Sequence, residues 1–167
     1  VRLSWLMTPA TICLAIPMYE QFRVLRRNLK AILAGVIAGS VACMGTILVL
    51  GLLLEFDQEL IVSLLPKSVT TAIGVSLSEL FGGMAGVTTA VIIVTGIGGN
   101  MLGPMLCKLF KIEDPVAQGV AFGTAAHVIG TAKANELSQL TGAASSLSLV
   151  VAGLLTAVLM PILTHIM

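Results

Sequence analysis

Two short stretches place reactive side chains in strongly apolar company. The first, "LLPKSVTTAIGVSLSE" (64–79), sets Lys67, Ser68, Thr70 and Thr71 directly after Pro66. Proline removes a backbone donor and disturbs the local helix. A helix that restarts after it presents free N–H groups and the positive end of its dipole. With a lysine and three hydroxyls at that restart, the chemistry on offer is anion binding, because N–H groups at helix starts hold carboxylates and phosphates.

The second stretch, "FGTAAHVIGTAKANE" (122–136), holds Gly123, Thr124, His127, Gly130 and Thr131, then Lys133 and Glu136. Thr124 and Thr131 are seven apart with His127 between them, a spacing that puts all three on one face of a helix. The glycines permit turns or close helix approach. Lys133 and Glu136, at i and i+3, are positioned to pair or to couple ion movement. A third motif, "TGIGGNMLG" (95–103), puts Asn100 among Gly96, Gly98, Gly99 and Gly103. Its spacing is not that of a dinucleotide fingerprint. Gly96, Gly99 and Gly103 share a helical face suited to tight packing, and Asn100 is a candidate lining residue.

Other chemistry is not signalled. There is no base-oriented nucleophile, no pair of catalytic carboxylates and no metal-ligand spacing, so neither an enzyme nor a cofactor or metal protein is expected. Cys13, Cys43 and Cys107 lie in apolar runs and read as small buried hydrophobes. His165 reads as an interfacial residue. The net charge of +1 gives no basic field for nucleic acid.

The elements that must position these residues are helical spans. Of the 167 residues, 57% are hydrophobic and only 10% charged, against about 25% charged in a soluble domain. Such a chain needs a lipid-facing exterior. Uncharged or nearly uncharged runs cover 3–19, 31–54, 84–107 and 144–167, and a spanning helix needs about 20 apolar residues. Two further stretches, 59–82 and 115–141, are apolar but broken by Pro, Gly, hydroxyls and charge.

Lysine and arginine mark cytoplasmic loops. "EQFRVLRRNLK", with Arg23, Arg26, Arg27 and Lys30, is therefore expected inside, the acidic "EFDQE" outside, and "KLFKIEDP", with Lys108 and Lys111, inside again. The run 84–107 supplies the one crossing needed between the last two loops. Hence 59–82 should return to the face it left, as a re-entrant hairpin, and 115–141 should do the same from the other face. Thr71-Ala72-Ile73-Gly74 before Glu79-Leu80 resembles His127-Val128-Ile129-Gly130 before Glu136-Leu137. The expected fold is an all-α polytopic membrane protein. It has four full spans and two re-entrant or broken segments, with 59–110 and 115–167 as inverted-repeat units of one transmembrane domain. Such repeats characterise secondary transporters, with the site where the broken elements meet. The chain begins at Val1 in an apolar run, and further N-terminal spans are expected.

The two quoted segments, the "KIEDPVAQG" loop and the late "GAASSLSLVVAGLLTAVLMP" span resemble the LrgB/CidB membrane protein family over essentially the whole chain. Lys67, Ser68, Thr70, Thr71, Gly123, Thr124, His127, Gly130 and Thr131 fit its pattern. Ala72, Val75-Ser76, Ala126 and Lys133 depart from the family's usual Pro, Met-Glu, Ser and Arg. The resemblance implies a bacterial inner-membrane protein with one of two roles. One is transport of a small monocarboxylate, as in the plastidic glycolate/glycerate translocator and in members linked to pyruvate uptake. The other is antiholin-like modulation of murein hydrolases and lysis, usually with an LrgA/CidA-type membrane partner. A homo-oligomer in the lipid bilayer is expected. For transport, the substrate would meet Lys67, Ser68, Thr70 and Thr71 from one side and Asn100, Gly123, Thr124, His127, Gly130 and Thr131 from the other. Lys133 and Glu136 are the candidate coupling residues.

Overall fold

The computed structural model describes Ile16 and Tyr19–Ile166, so the apolar run 3–19 lies almost wholly outside the described residues. The described chain is all-helical, with no strand. Its elements are α1 (Phe22–Leu53), α2 (Gln58–Leu64), α3 (Thr71–Leu80), α4 (Ala85–Leu109), α5 (Pro115–Leu137) and α6 (Gln139–Ile166). Three of them, α1, α4 and α6, are long and apolar enough to cross a membrane. They coincide with three of the four apolar runs and extend each of them at one end.

The largest extension is at the start of α1. Arg23, Arg26, Arg27 and Lys30 were expected in a loop but lie on its first turns. Arg, Leu and Lys are good helix formers. Asn28, a weak former, donates its side-chain amide to Val24 O at 3.1 Å and stays helical. α6 likewise begins five residues before the apolar run. Ser138 stands extended between α5 and α6, and its Oγ accepts the Thr141 N–H at 3.0 Å, a serine N-cap.

The core divides into two ends. Leu25, Ile32 and Val36 of α1 pack with Val116 and Val120 of α5 and Ala143 and Ala144 of α6. Met44, Ile47 and Leu48 of α1 pack instead with Ile61, Val62 and Leu65, with Leu77 and Phe81, and with Met160 of α6. The first end carries Arg23, Arg26, Arg27, Lys30, Lys108 and Lys111. The second carries Glu55, Asp57, Glu59 and Glu79. Outer faces of the long helices are apolar and uncovered: Leu52 is 75% exposed, Met101 72% and Leu154 66%. Faces of that kind are suited to lipid rather than water.

α5 is not one helix. Asp114 caps its start, accepting the Ala117 N–H at 2.8 Å, and Pro115 occupies the first turn, where a missing N–H costs nothing. At His127 the backbone leaves the helix, with φ 43° and ψ −135°. The chain then doubles back. A Cβ on Gly130 would lie 2.8 Å from the carbonyl oxygen of Phe122, eight residues earlier. In a straight helix those positions stand about 12 Å apart along the axis. The packing on α6 shows the same reversal. Gly119 meets Thr141 and Ser145 while Gly123 meets Ser145 and Ser148, so 115–126 runs parallel to α6. Thr131 bonds Ser145 and Asn135 abuts Gly142, so 128–137 runs antiparallel to it.

Candidate functional site

The turn after α2 is built as the sequence suggests. Pro66 lacks an N–H, and short-range bonds carry the chain around: Lys67 N–H to Leu64 O at 3.1 Å and Val69 N–H to Pro66 O at 3.3 Å. Thr70, extended, caps α3 by accepting the Ile73 N–H at 3.4 Å. The N–H groups of Thr71 and Ala72 have no intrahelical acceptor, as in any first turn. α3 then returns along α4. Gly74 abuts Ile92, and Thr88 Oγ1 lies 2.7 Å from Ser78 Oγ and 2.9 Å from Ser63 O. Ser63 Oγ also accepts the Met84 N–H at 2.7 Å. The last turn of α2 and the end of α3 therefore both sit beside the first turn of α4.

The two turns converge on the middle of α1. Ser68 is buried, with Oγ 3.2 Å from Cys43 Sγ and within 3.3 Å of the Lys67 ammonium, which donates to it. One helical turn away on α1, Gly39 receives Thr124, whose Cγ2 would lie 2.8 Å from a Cβ there. Lys67 shares a cavity with Ala125 and Ala126 at the tip of the α5 hairpin.

The second tip is held by α4. The His127 ring is buried, and its Nε2–H donates to Ile92 O at 2.9 Å; a carbonyl can only accept, which fixes the proton on that nitrogen. Asn100 donates its amide to Ile129 O at 3.0 Å, satisfying a carbonyl beside the break. Gly96 makes room for His127 and Ile129, Gly99 for Ala126 and Gly103 for Phe122, the close approach expected of that glycine face. Thr131 Oγ1 lies 2.8 Å from both His127 O and Ser145 Oγ. A positive φ on a non-glycine residue costs on the order of 1–3 kcal/mol and persists where its surroundings impose it; these bonds are the imposing ones.

This geometry corrects the expectation of a single Thr124–His127–Thr131 stripe. The spacing of seven presumes a continuous helix, and the helix stops at His127. Thr124 faces α1, His127 faces α4 and Thr131 faces α6. Gly123 and Gly130 serve packing, against Ser145 and Ser148 and against Ala126 and Phe122 respectively. Thr70 is half-buried and Thr71 exposed. Lys133 and Glu136 form an ion pair of 2.6 Å at the basic end, on side chains 31% and 65% exposed.

The main cavity, about 320 Å³, runs along the seam between α4 and the first arm of α5. Thr95, Gly98, Gly99, Leu102, Gly103, Leu106 and Cys107 line it from α4, Ile112 from the connecting loop, and Ala121, Phe122, Ala125 and Ala126 from α5. Lys67 lines its inner end and is the one residue of the expected binding set to do so. A second cavity of about 260 Å³ adjoins at the basic end, sharing Cys107 and Ile112 and bordered by Lys108, Lys111 and Gln118. Among the described residues the only ion pair is Lys133–Glu136, so Lys67 has no carboxylate partner. Thr95, Gly98 and Cys107 were missed as lining residues. Their signal lay in the helical period: Thr95, Gly98 and Leu102 fall on the face beside the packing glycines.

Comparison with known families settles the kinship, since residues 2–166 match the LrgB-like family. The chain belongs to the LrgB-like family. It is also 39% identical over 165 residues to the uncharacterized protein YwbG of Bacillus subtilis (strain 168), an alignment covering 99% of this chain and 73% of that one. No solved structure matches the chain. Family and apolar helices together make this a membrane protein.

Proposed function

We propose that this protein is an alternating-access secondary transporter of a small monocarboxylate of the glycolate, glycerate or pyruvate type. Lys67 carries the reading. It is a half-buried cation beside the middle of a long apolar helix, next to a cavity, with no acid to neutralise it among the described residues. Ionisable groups at that depth are costly and mark substrate or ion paths. A carboxylate would supply the missing charge, and the restart of α3 beside Lys67 would add N–H donors.

The architecture fits the reading. Each hairpin with its following long helix (α2–α3 with α4, the two arms of α5 with α6) forms one unit of an inverted repeat. By the positive-inside rule the basic end faces the cytoplasm, so the α2–α3 hairpin enters from outside and the α5 hairpin from inside. Three of the four expected spans, α1, α4 and α6, lie among the described residues. We place it in the bacterial inner membrane, as a homo-oligomer and with an LrgA/CidA-type partner where one is made. Neither enzymatic activity nor a cofactor is part of this proposal.

The test is flux into proteoliposomes loaded with purified protein. Saturable uptake of labelled pyruvate or glycolate is expected, with Lys67→Ala reducing it to the protein-free level. Absence of saturable uptake, or a Lys67→Ala variant equal to the parent, would overturn the proposal. The latter result, with lysis phenotypes intact, would favour a non-transporting antiholin-like regulator.

A further inference from the structure

The cavity beside Lys67 has one charged end and a long apolar body. From Thr95 to Cys107 it follows α4 for about 18 Å at 1.5 Å per residue. Beyond Lys67 and Thr95, its walls offer methyl, methylene and phenyl surface, with Cys107 at the far end. A bound hydroxyl along this body would leave water without a replacement partner, whereas a methylene would be buried to advantage. Gly98 leaves this wall open, since a Cβ there meets nothing within 4 Å, while its neighbour Gly99 is filled by Ala126.

We infer that the site selects monocarboxylates with an unsubstituted apolar tail, the carboxylate on Lys67 and the tail along the α4–α5 groove, over polyhydroxylated acids of equal length. The inference rests on the carboxylate reading above and narrows it. Burial of each added methylene raises affinity about fourfold. A hydroxyl buried without a partner lowers it by at least roughly fivefold. Acetate, propionate and butyrate should therefore bind in rising order, butyrate about 16-fold tighter than acetate. Glycerate should bind at least about fivefold more weakly than propionate, its unsubstituted counterpart.

The experiment is calorimetric titration of the purified chain in lipid nanodiscs with these four acids, empty nanodiscs subtracted. Two fillers probe the groove: Gly98→Leu on α4 and Ala125→Leu on the exposed opposite wall. Lys67→Gln probes the charged end. The expected result is a chain-length gradient that either filler flattens and that Lys67→Gln abolishes along with all binding. Lys67-dependent binding with no gradient, or with glycerate tighter than propionate, would overturn the inference and leave the carboxylate site standing. A gradient unchanged in all three variants would mean partition into lipid and would also overturn it. No binding of any acid by the parent chain would overturn both this inference and the proposed function.

Discussion

Thr88→Val tests how the α2–α3 hairpin is held. Thr88 is fully buried, and its hydroxyl links three parts of the chain: Ser63 O at the end of α2, Ser78 Oγ on α3 and its own Met84 O. Valine keeps the shape and removes the oxygen. Two bonds between elements are lost, and Ser78 Oγ and Ser63 O are left buried without that partner. Hydrogen bonds between helices in membrane proteins average about 0.6 kcal/mol each and reach about 1.7. Two of them amount to about 1.2 kcal/mol, with an upper bound near 3.4 kcal/mol. For a chain of this size about 1 kcal/mol shifts Tm by roughly 2–4 °C, so Tm should fall by about 2–5 °C, and by more if both bonds are strong. The assay is thermal unfolding of purified protein in detergent, followed by loss of the monodisperse peak on size-exclusion chromatography. The control is Thr89→Val. That neighbouring hydroxyl bonds only the Ala85 carbonyl of its own helix, and its loss should leave Tm near the parent value. Equal shifts for the two variants would refute the claim that this cluster anchors the hairpin.

The neighbouring glycines make a second pair. Gly99→Ala drives a methyl into Ala126 and should cost about 1–3 kcal/mol, whereas Gly98→Ala enters open space and should gain up to about 1 kcal/mol in helix propensity; matching unfolding curves would contradict the packing described. Asp114→Ala should lose about 1 kcal/mol of capping, and Asp114→Asn should retain it, because asparagine caps as well; a Tm loss shared by both would assign the effect to charge instead. For topology, single cysteines replacing Asp57 and Glu79 should react with an impermeant maleimide from one side of the membrane. Those replacing Glu113 and Glu136 should react from the other, and labelling of Asp57→Cys and Glu79→Cys from opposite sides would exclude the hairpin.

The long helices were legible because length and hydropathy alone define them. The turn at Lys67 was legible too, because Pro66 and a run of hydroxyls interrupt an apolar stretch. The break at His127 was not legible to the residue. A positive φ is cheapest on glycine, and Gly123 and Gly130 flank the spot, yet both are taken up by close helix contacts and the histidine bears the turn. Its determinants, Ile92 O and the space at Gly96, belong to another helix. The Ser63–Ser78–Thr88 cluster was hidden for the same reason. Its three hydroxyls are scattered along the sequence and meet only after the hairpin has closed. The cavity was misjudged in polarity, because Thr70 spends its hydroxyl on a cap, Thr131 spends its own on a neighbouring helix, and Thr124 is turned against α1.

The joints after the two hairpins are of different make. After α3 the chain has residues 81–84, including Gly82 at φ 84°, before α4 begins. After α5 it has Ser138 alone, extended and already capping α6. A one-residue elbow leaves no slack between the returning arm of α5 and the first turns of α6, while the four residues after α3 are held instead by bonds, Gly83 N–H to Ser78 O at 2.7 Å and Met84 N–H to Ser63 Oγ at 2.7 Å. Each hairpin is therefore tied to the helix that follows it, the first by bonds across its link and the second by having almost no link at all.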